Sequence, residues 1–206
     1  MLKGVAEKAD STELDEVAAY FSEAARVCSS VKVTDQDGRP MTPKEGFNWV
    51  ADRAQSCNVK DNKMILIGNG CSAAIASHQA TVFLKNGGVR ALALNDVVAI
   101  TALANDLGYA NVFAEQLRLN GRTGDMLVAI SSSGQSTNIL KAVEVAREKK
   151  IDIVTFSGFR PDNLLRQQGD VNFWVDSNQY GFVEVAHHAL IQAILDLNVI
   201  PKRPAI

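Results

Sequence analysis

Two stretches, IGNGCSAA at 67–74 and ISSSGQST at 130–137, decide how this chain folds. Each follows a short apolar run, at 64–67 and at 126–130, and each leads into a sequence with helical character. A buried strand that ends in Gly, Ser or Asn just before a helix forms an anion pocket, because the first helical N–H groups and the helix dipole favour negative charge. We therefore predict a phosphate site where the two stretches meet. Further donors there are the hydroxyls of Ser72, Ser131, Ser133 and Ser136.

From residue 63 onward, strand-like apolar runs alternate with helical segments. The predicted strands are 64–68, 91–94, 125–130, 152–156 and 171–175. The predicted helices are 72–84, 96–107, 111–120, 136–149, 163–168 and 180–197. This alternation predicts parallel βαβ units and hence an α/β fold with a doubly wound parallel sheet. Ligands of such sheets bind beyond the carboxyl ends of the strands, which is where both stretches fall.

Composition excludes several classes of protein. The chain has 206 residues, 47% hydrophobic and 21% charged, as expected for a globular domain with an appendage. Its net charge of −2, without a block of Lys or Arg, argues against a nucleic-acid partner. No apolar run approaches the about 20 residues of a membrane span, and the charged N-terminus lacks the apolar core of a signal peptide. Three scattered cysteines predict free thiols and a cytoplasmic location.

The N-terminal region carries two further helical patterns. Apolar residues at helical spacing predict one helix over about 12–28. A second is predicted over 43–56, with Thr42 as its cap and Pro43 in its first turn. The intervening stretch, 31–43, fits a loop or a short hairpin. Neither helix can bury its apolar stripe alone, so we expect both to pack on the main domain or on a partner subunit.

Four segments carry a resemblance to a known family. They are GNGCSAAIASHQA, ALNDVVAITALANDLGYANVFAEQL, GRTGDMLVAISSSGQSTNILKAVEVAREK and the closing helix over 180–197. With them the chain resembles the SIS sugar-phosphate-binding domain, and within it the sedoheptulose-7-phosphate isomerase (phosphoheptose isomerase) branch. The resemblance covers about residues 10–200. It divides the chain into an N-terminal helical segment, 1–60, and a flavodoxin-like SIS domain, 61–200.

The resemblance implies an activity and an assembly. Members of this branch convert sedoheptulose 7-phosphate to a heptose 7-phosphate, on the path to nucleotide-activated heptose for lipopolysaccharide or capsule. They form homotetramers, or dimers of dimers, with active sites near subunit contacts. We therefore expect a phosphorylated sugar as the ligand and no nucleotide cofactor.

The resemblance also assigns binding residues. Those that match the family's phosphate loop are Ser131, Ser133 and Ser136, with Ser132 and Gly134 completing the loop. The family's substrate-contacting N-G-G corresponds to Asn69, Gly70 and Cys71, next to Ser72. A pair that contacts the sugar corresponds to Asn95 and Asp96. Cys71 replaces the second glycine of the family motif, and we interpret it as a small residue tolerated there rather than a nucleophile.

The catalytic and metal centre of the family is only half present. His78 and His188 match two of its four residues, whereas Val82 stands at the family's Glu position and Tyr180 at its Gln position. Glu184 lies four residues from both Tyr180 and His188, so it shares a helical face with each. We predict that it replaces the lost groups, as the base or as one ligand of a zinc ion held with His78 and His188. Alternatively, Glu184 belongs to a solvated helix face and His188 to the packed interior.

Three functions follow from these observations. The first is an aldose–ketose isomerase for sedoheptulose 7-phosphate, in which a carboxylate or an imidazole moves a proton between adjacent carbons. The second is a non-catalytic module that senses a sugar phosphate or serves as a tetrameric scaffold, like the family's replication-initiator-associating relatives. The third is an isomerase for a different sugar phosphate.

Overall fold

The structure, a computed structural model, describes residues 11–59 and 61–202. The first ten residues of the predicted N-terminal segment, its boundary at residue 60 and the last four residues lie outside this part. The helices are α1 (Ser11–Ser29), α2 (Pro43–Val59), α3 (Cys71–Lys85), α4 (Val97–Leu107), α5 (Val112–Asn120), α6 (Thr137–Glu148) and α7 (Tyr180–Ile194). The strands are β1 (Lys32–Asp35), β2 (Pro40–Met41), β3 (Met64–Gly68), β4 (Ala91–Ala93), β5 (Met126–Ser131), β6 (Asp152–Ser157) and β7 (Val171–Trp174).

The strand order places the two stretches at 67–74 and 130–137 next to each other. The sheet runs β2-β1-β7-β6-β5-β3-β4, and β3 to β7 are all parallel. The chain moves outward from β3 to β4 and then returns to add β5 on the other side of β3. This reversal is a topological switch point, where doubly wound folds bind their ligands. Gly68 pairs with Ile130 at that point, so the loops after β3 and β5 are neighbours. The predicted fold class is confirmed.

The sheet also contains an antiparallel edge. β1 pairs antiparallel with both β2 and β7, so the stretch predicted as a loop or hairpin is a hairpin that extends the main sheet. Its turn is formed by the Asp35 carboxylate, which accepts the N–H groups of Asp37 and Arg39, and by Gly38 with φ of 77°. A sheet that is parallel throughout is therefore the wrong description of this edge. The tight turn sets β2 antiparallel to β1, and pairing with the distant β7 sets the direction of β1.

The sheet lies between two apolar layers. Alternate residues of β3 face opposite sides: Met64 and Leu66 join one buried cluster, and Ile65 and Ile67 join the other. The first cluster includes residues of α2, α3 and α7, and the second residues of α5 and α6. Both faces of the central strands are therefore buried from solvent, which explains why their sequences are continuously apolar.

The N-terminal helices differ in how they pack. α2 begins at the predicted position with a capping box: Glu45 accepts the Thr42 N–H at 2.7 Å, and the Thr42 hydroxyl accepts the Glu45 N–H at 3.3 Å. Its buried residues join the main core. α1 contacts α7 but leaves Val17 and Phe21 mostly exposed. The segment thus packs on the core in its described part, while α1 presents an apolar surface outward.

One helical stretch of the described residues, Tyr180–Lys202, has the length and apolar composition of a membrane span. Its mean hydropathy is 1.2. Val183, Ala186 and Ile191 on this stretch are buried against the sheet. A core helix of a globular domain meets the same criteria, and the packing of α7 fits that interpretation.

Candidate functional site

The loop from Ser131 to Ser136, called the serine loop below, leads from β5 into α6. The hydroxyls of Ser131 and Ser136 lie 3.2 Å apart, and the Ser133 hydroxyl accepts the Gln135 N–H at 3.2 Å. Ser136 is the N-cap of α6, yet its side chain caps no helical N–H. Several hydroxyls and the free N–H groups of the first turn of α6 therefore converge, which is the arrangement that binds an anion.

A pocket of about 150 Å³ lies over the serine loop. Its lining residues are Asn69, Ser72, Ile130, Ser131, Ser132, Ser133, Ser136, Tyr180 and Glu184. The two loops of the switch point form one side of this pocket and the start of α7 forms another. The buried Ser132 hydroxyl has no hydrogen-bond partner among the described residues, so it too can bind a ligand.

A small amide network holds Asn69 at the pocket. The Asn69 Oδ1 accepts hydrogen bonds from Asn138 Nδ2 at 2.8 Å and from the Tyr109 hydroxyl at 2.9 Å. Asn69 Nδ2 in turn donates to Asn138 Oδ1 at 2.9 Å. Two donors occupy the oxygen, whereas one N–H of the amide has no protein partner in this network. Asn69 therefore offers the pocket a hydrogen-bond donor, which suits a sugar oxygen.

Other predicted binding residues lie outside this pocket. Gly70 and Cys71 are exposed at the start of α3 and do not line it. Asn95 donates to the Ala73 carbonyl at 2.8 Å, and Asp96 caps α4 by accepting the Ala99 N–H at 2.9 Å. Their contacts are structural in this chain, and their predicted binding roles stay predictions.

The three predicted centre residues are only partly brought together. His78 and His188 pack ring to ring, with centroids 4.7 Å apart. Glu184, one helical turn before His188, lines the serine pocket instead. Among residues 11–59 and 61–202, no three His, Cys, Asp or Glu side chains are close enough to hold a metal ion. The predicted zinc ligand set is therefore not assembled, because its carboxylate faces the serine loop. The donors of one chain do not fit a zinc ion.

The two adjacent imidazoles influence each other. Partial burial, and then the proximity of His78, lower the pKa of His188 below its ordinary value. His188 is therefore a neutral imidazole near neutral pH, able both to donate and to accept a hydrogen bond.

His187 has a different environment. It is fully buried beside Phe156, and its Nε2 donates to the Ser157 carbonyl at 3.1 Å. Burial lowers the pKa of His187 to about 4, although the hydrogen bond to Ser157 acts in the opposite direction. This core position keeps His187 out of the serine pocket, which Glu184 lines from the same helix.

The pKa of His187 predicts an acid-sensitive fold. The neutral form is favoured in the folded state, so its stabilising effect is complete above about pH 6.5 and is lost as pH falls toward about 4. Over that range we expect the free energy of unfolding to fall by about 3 kcal/mol from this residue. Urea unfolding at several pH values measures the loss. His187→Gln, which keeps a donor toward Ser157, should flatten the profile; an unchanged profile would contradict this assignment.

Several residues that shape the site were not predicted from the sequence. Tyr109 and Asn138 orient Asn69, and Asn163 packs directly against Gly134 of the serine loop. Asn138 had a local signal, since an amide one residue into a helix after a phosphate loop suits a polar contact there. Asn163 lies about thirty residues beyond the loop it supports, so no local pattern could reveal it.

Comparison with known proteins identifies the family of this chain. The SIS domain family model matches residues 19–158. The chain belongs to the SIS domain family, in its phosphoheptose isomerase branch. It is 31% identical over 194 residues to the phosphoheptose isomerase of Neisseria meningitidis serogroup C, spanning 90% of this chain and 94% of the relative. The structure of phosphoheptose isomerase GmhA from Neisseria gonorrhoeae superposes with a TM-score of 0.74 at 31% identity, covering 89% of this SIS protein and 98% of GmhA.

A second kind of relative is also similar to this chain. The DnaA initiator-associating protein DiaA of Klebsiella pneumoniae is 37% identical over 144 residues, which is 66% of this chain and 74% of DiaA. Overall similarity within the SIS family therefore does not by itself separate an isomerase from an associating protein. An isomerase and an associating protein therefore have to be distinguished by the residues of the pocket.

The serine loop supports a direct binding prediction. Ser133→Ala removes one hydroxyl from the anion site, so sugar-phosphate affinity should fall by about 1–2 kcal/mol, the scale of a hydrogen bond to a charged group. Isothermal titration calorimetry measures this loss. Ser29→Ala, exposed at the end of α1 and absent from the pocket lining, is the control. Unchanged affinity in a variant with all of Ser131, Ser133 and Ser136 replaced by Ala would mean that phosphate binds elsewhere.

Proposed function

We propose that this SIS protein is an aldose–ketose isomerase for sugar phosphates, with sedoheptulose 7-phosphate as its substrate. The observation that carries the proposal is the position of Glu184, which lines the same small pocket as the serine loop. A phosphate held by the serines leaves the rest of the sugar beside this carboxylate. The phosphoheptose isomerases among its relatives point to the seven-carbon substrate.

The reaction needs one proton to move between adjacent carbons. The Glu184 carboxylate takes the proton from the hydroxymethyl carbon beside the ketose carbonyl, giving a cis-enediol. It then returns the proton to the former carbonyl carbon, which produces the aldose. A second proton passes from the hydroxyl oxygen to the carbonyl oxygen. His188 packs on His78 and does not line the serine pocket, so water in the pocket carries this proton between the two oxygens.

The serines contribute mainly by positioning. They bind the phosphate equally in the substrate and the enediol, so they place the reactive carbons without lowering the chemical barrier directly. The donor N–H of Asn69 supplies a contact to a sugar oxygen. No part of this reaction requires a nucleotide cofactor.

The second candidate is a non-catalytic SIS module that binds a sugar phosphate as a sensor or scaffold. The observations that favour it are the relative DiaA and the two replaced family positions, Val82 and Tyr180. Under this candidate Glu184 would only contact the ligand. An isomerase for another sugar phosphate shares the chemistry proposed above and differs in the carbon chain it accepts.

We also propose that the protein is a cytoplasmic homotetramer or dimer of dimers. The support within one chain is α4, which has no buried residue although only one of its eleven residues is charged. Val97 and Val98 are each 70% exposed on it. Ile100, Leu103 and Ala104 are half-buried against the second core cluster, but the face with Val97 and Val98 stays open. An open apolar face indicates a partner surface, and a second copy of the chain is the partner that closed symmetry provides.

A charge on α4 should therefore break the assembly. Val98→Glu buries a carboxylate in the proposed contact and should shift the protein toward smaller species. Light scattering coupled to gel filtration measures the molar mass. Val98→Thr, similar in shape and uncharged, is the matched control and should assemble more completely. A Val98→Glu protein with the mass of the wild type would contradict this contact.

Turnover tests the proposed function. The purified protein is incubated with sedoheptulose 7-phosphate, and the aldose product is followed by NMR. We expect conversion by the wild type and none by the variant with Ser131, Ser133 and Ser136 replaced by Ala. Binding of the sugar phosphate without any conversion would favour the sensor instead.

A further inference from the structure

Phe159 has a backbone conformation that bulky residues rarely adopt. It is the second residue after β6, and its φ of 57° lies in the left-handed region. Side chains clash with the backbone there, so such residues persist only where their surroundings hold them. The hydrogen bonds and the ring contact of Phe159 show what this backbone conformation does for the pocket.

Two successive N–H groups at this point join two sides of the serine pocket. The Gly158 N–H donates to the carbonyl of Ser132 at 3.0 Å, and the Phe159 N–H donates to the carbonyl of Ser177 at 3.0 Å. Ser132 belongs to the serine loop, and Ser177 lies just before α7. Gly158 and the strained Phe159 together therefore connect the serine loop to the segment that leads into α7.

The ring of Phe159 continues this connection. It packs edge to face on Tyr180, with ring centroids 4.7 Å apart and an interplanar angle of 82°. Phe159 is half-buried, whereas Tyr180 is 61% exposed. The exposed Tyr180 ring is thus supported by the Phe159 ring, whose backbone is fixed by its hydrogen bond.

Tyr180 and Glu184 lie one turn apart on α7, and both line the serine pocket. We propose that Tyr180 is a substrate-contact residue that selects the sugar's carbon chain, and that Phe159 is the residue that positions it. The proposal rests on the proposed function in one respect, that the ligand is a sugar phosphate. The serines take the phosphate, and the Tyr180 ring offers a flat apolar surface to the C–H groups beyond it.

The chemistry of Tyr180 suits this role. Its hydroxyl makes no hydrogen bond to another described residue, so it can bond to a sugar hydroxyl at the edge of the ring. A few placed polar groups beside apolar surface are the usual means by which a small-molecule pocket selects its ligand.

Titration calorimetry with two probes tests the contact. Tyr180→Ala should weaken the binding of seven-carbon ketose phosphate about tenfold, while the affinity for inorganic phosphate, which reaches only the serines, should stay unchanged. Ketose phosphates of five and six carbons should lose less. Tyr180→Phe separates the ring from the hydroxyl and should retain most of the affinity.

The positioning role of Phe159 is tested by a pair of matched glycine variants. Phe159→Gly and Lys150→Gly both relieve a left-handed backbone, since Lys150 also has φ of 57° and lies exposed after α6. We expect only Phe159→Gly to weaken binding of the seven-carbon probe, and neither to change inorganic phosphate binding. Thermal unfolding of both variants reports any general loss of structure.

The outcomes separate the two proposals. Unchanged sugar-phosphate affinity in Tyr180→Ala, or an equal loss for inorganic phosphate, would overturn the role of Tyr180. Unchanged affinity in Phe159→Gly would overturn the positioning role. A wild type that binds the sugar phosphate but converts none of it would contradict the isomerase function alone, because the readout here is affinity.

Discussion

Glu184→Gln should lower the rate of isomerisation by a factor of about 100 to 10,000, the usual contribution of a general base. The amide keeps the shape of the side chain but cannot accept the proton from the sugar carbon. Affinity for the sugar phosphate should remain close to that of the wild type, because the serine loop holds the phosphate. Steady-state kinetics should therefore show a fall in kcat with little change in KM.

The control for this variant is Glu144→Gln. Glu144 is an exposed carboxylate on α6 that does not line the serine pocket, so its neutralisation should leave kcat unchanged. Near wild-type turnover by Glu184→Gln would exclude Glu184 as the base and move attention to the His78–His188 pair.

Gly134→Ala should damage both the fold and phosphate binding. Gly134 has φ of 63°, and a Cβ there would lie 1.9 Å from Asn163 Oδ1 and 2.3 Å from its Cγ. Asn163 cannot move aside easily, because it is buried and donates to Ser157, Gly158 and Arg160. Backbone strain plus lost hydrogen bonds should reduce the free energy of unfolding by about 3–5 kcal/mol. Phosphate affinity should fall at least about tenfold as the loop is displaced.

Gly38→Ala isolates the strain component of that effect. Gly38 has φ of 77° in the β1–β2 turn, and a Cβ there meets nothing within 4 Å. It should cost only about 1–2 kcal/mol and leave phosphate binding intact. Urea unfolding and calorimetry compare the two variants. Equal destabilisation would contradict the proposed contact between Asn163 and the serine loop.

The sheet could be predicted from local patterns because its strands are short, apolar and regularly spaced. The stretches MILIG and MLVAI fall within β3 and β5, and the Gly, Ser and Asn residues after them begin helices. That both loops form one pocket also followed, since parallel strands place their carboxyl ends at one edge. The direction of β1 could not be derived in the same way, because it depends on pairing with β7 about 140 residues later.

The parts of the candidate site that depend on a strand, a loop and the following helix could be predicted from the sequence. The parts that depend on where a side chain points in the folded protein could not. The serine loop needed only its strand and its helix. Helical spacing correctly placed Tyr180 and Glu184 on one face, and the resemblance paired His78 with His188, whose rings are in contact. The spacing could not show that Glu184 would face the serines rather than those two rings. Nor could it show that Asn163 and Phe159, on a loop after β6, support the pocket from behind.

The proposed isomerisation depends on Glu184 exchanging a proton with the sugar held by the serine loop. The direct test is NMR of sedoheptulose 7-phosphate incubated with the protein in deuterated water. The wild type should incorporate deuterium at the carbon beside the carbonyl even if net conversion is slow, and Glu184→Gln should not, although it still binds the sugar phosphate. A wild type that binds the sugar phosphate without any deuterium incorporation would contradict the claim and identify a sensor or scaffold.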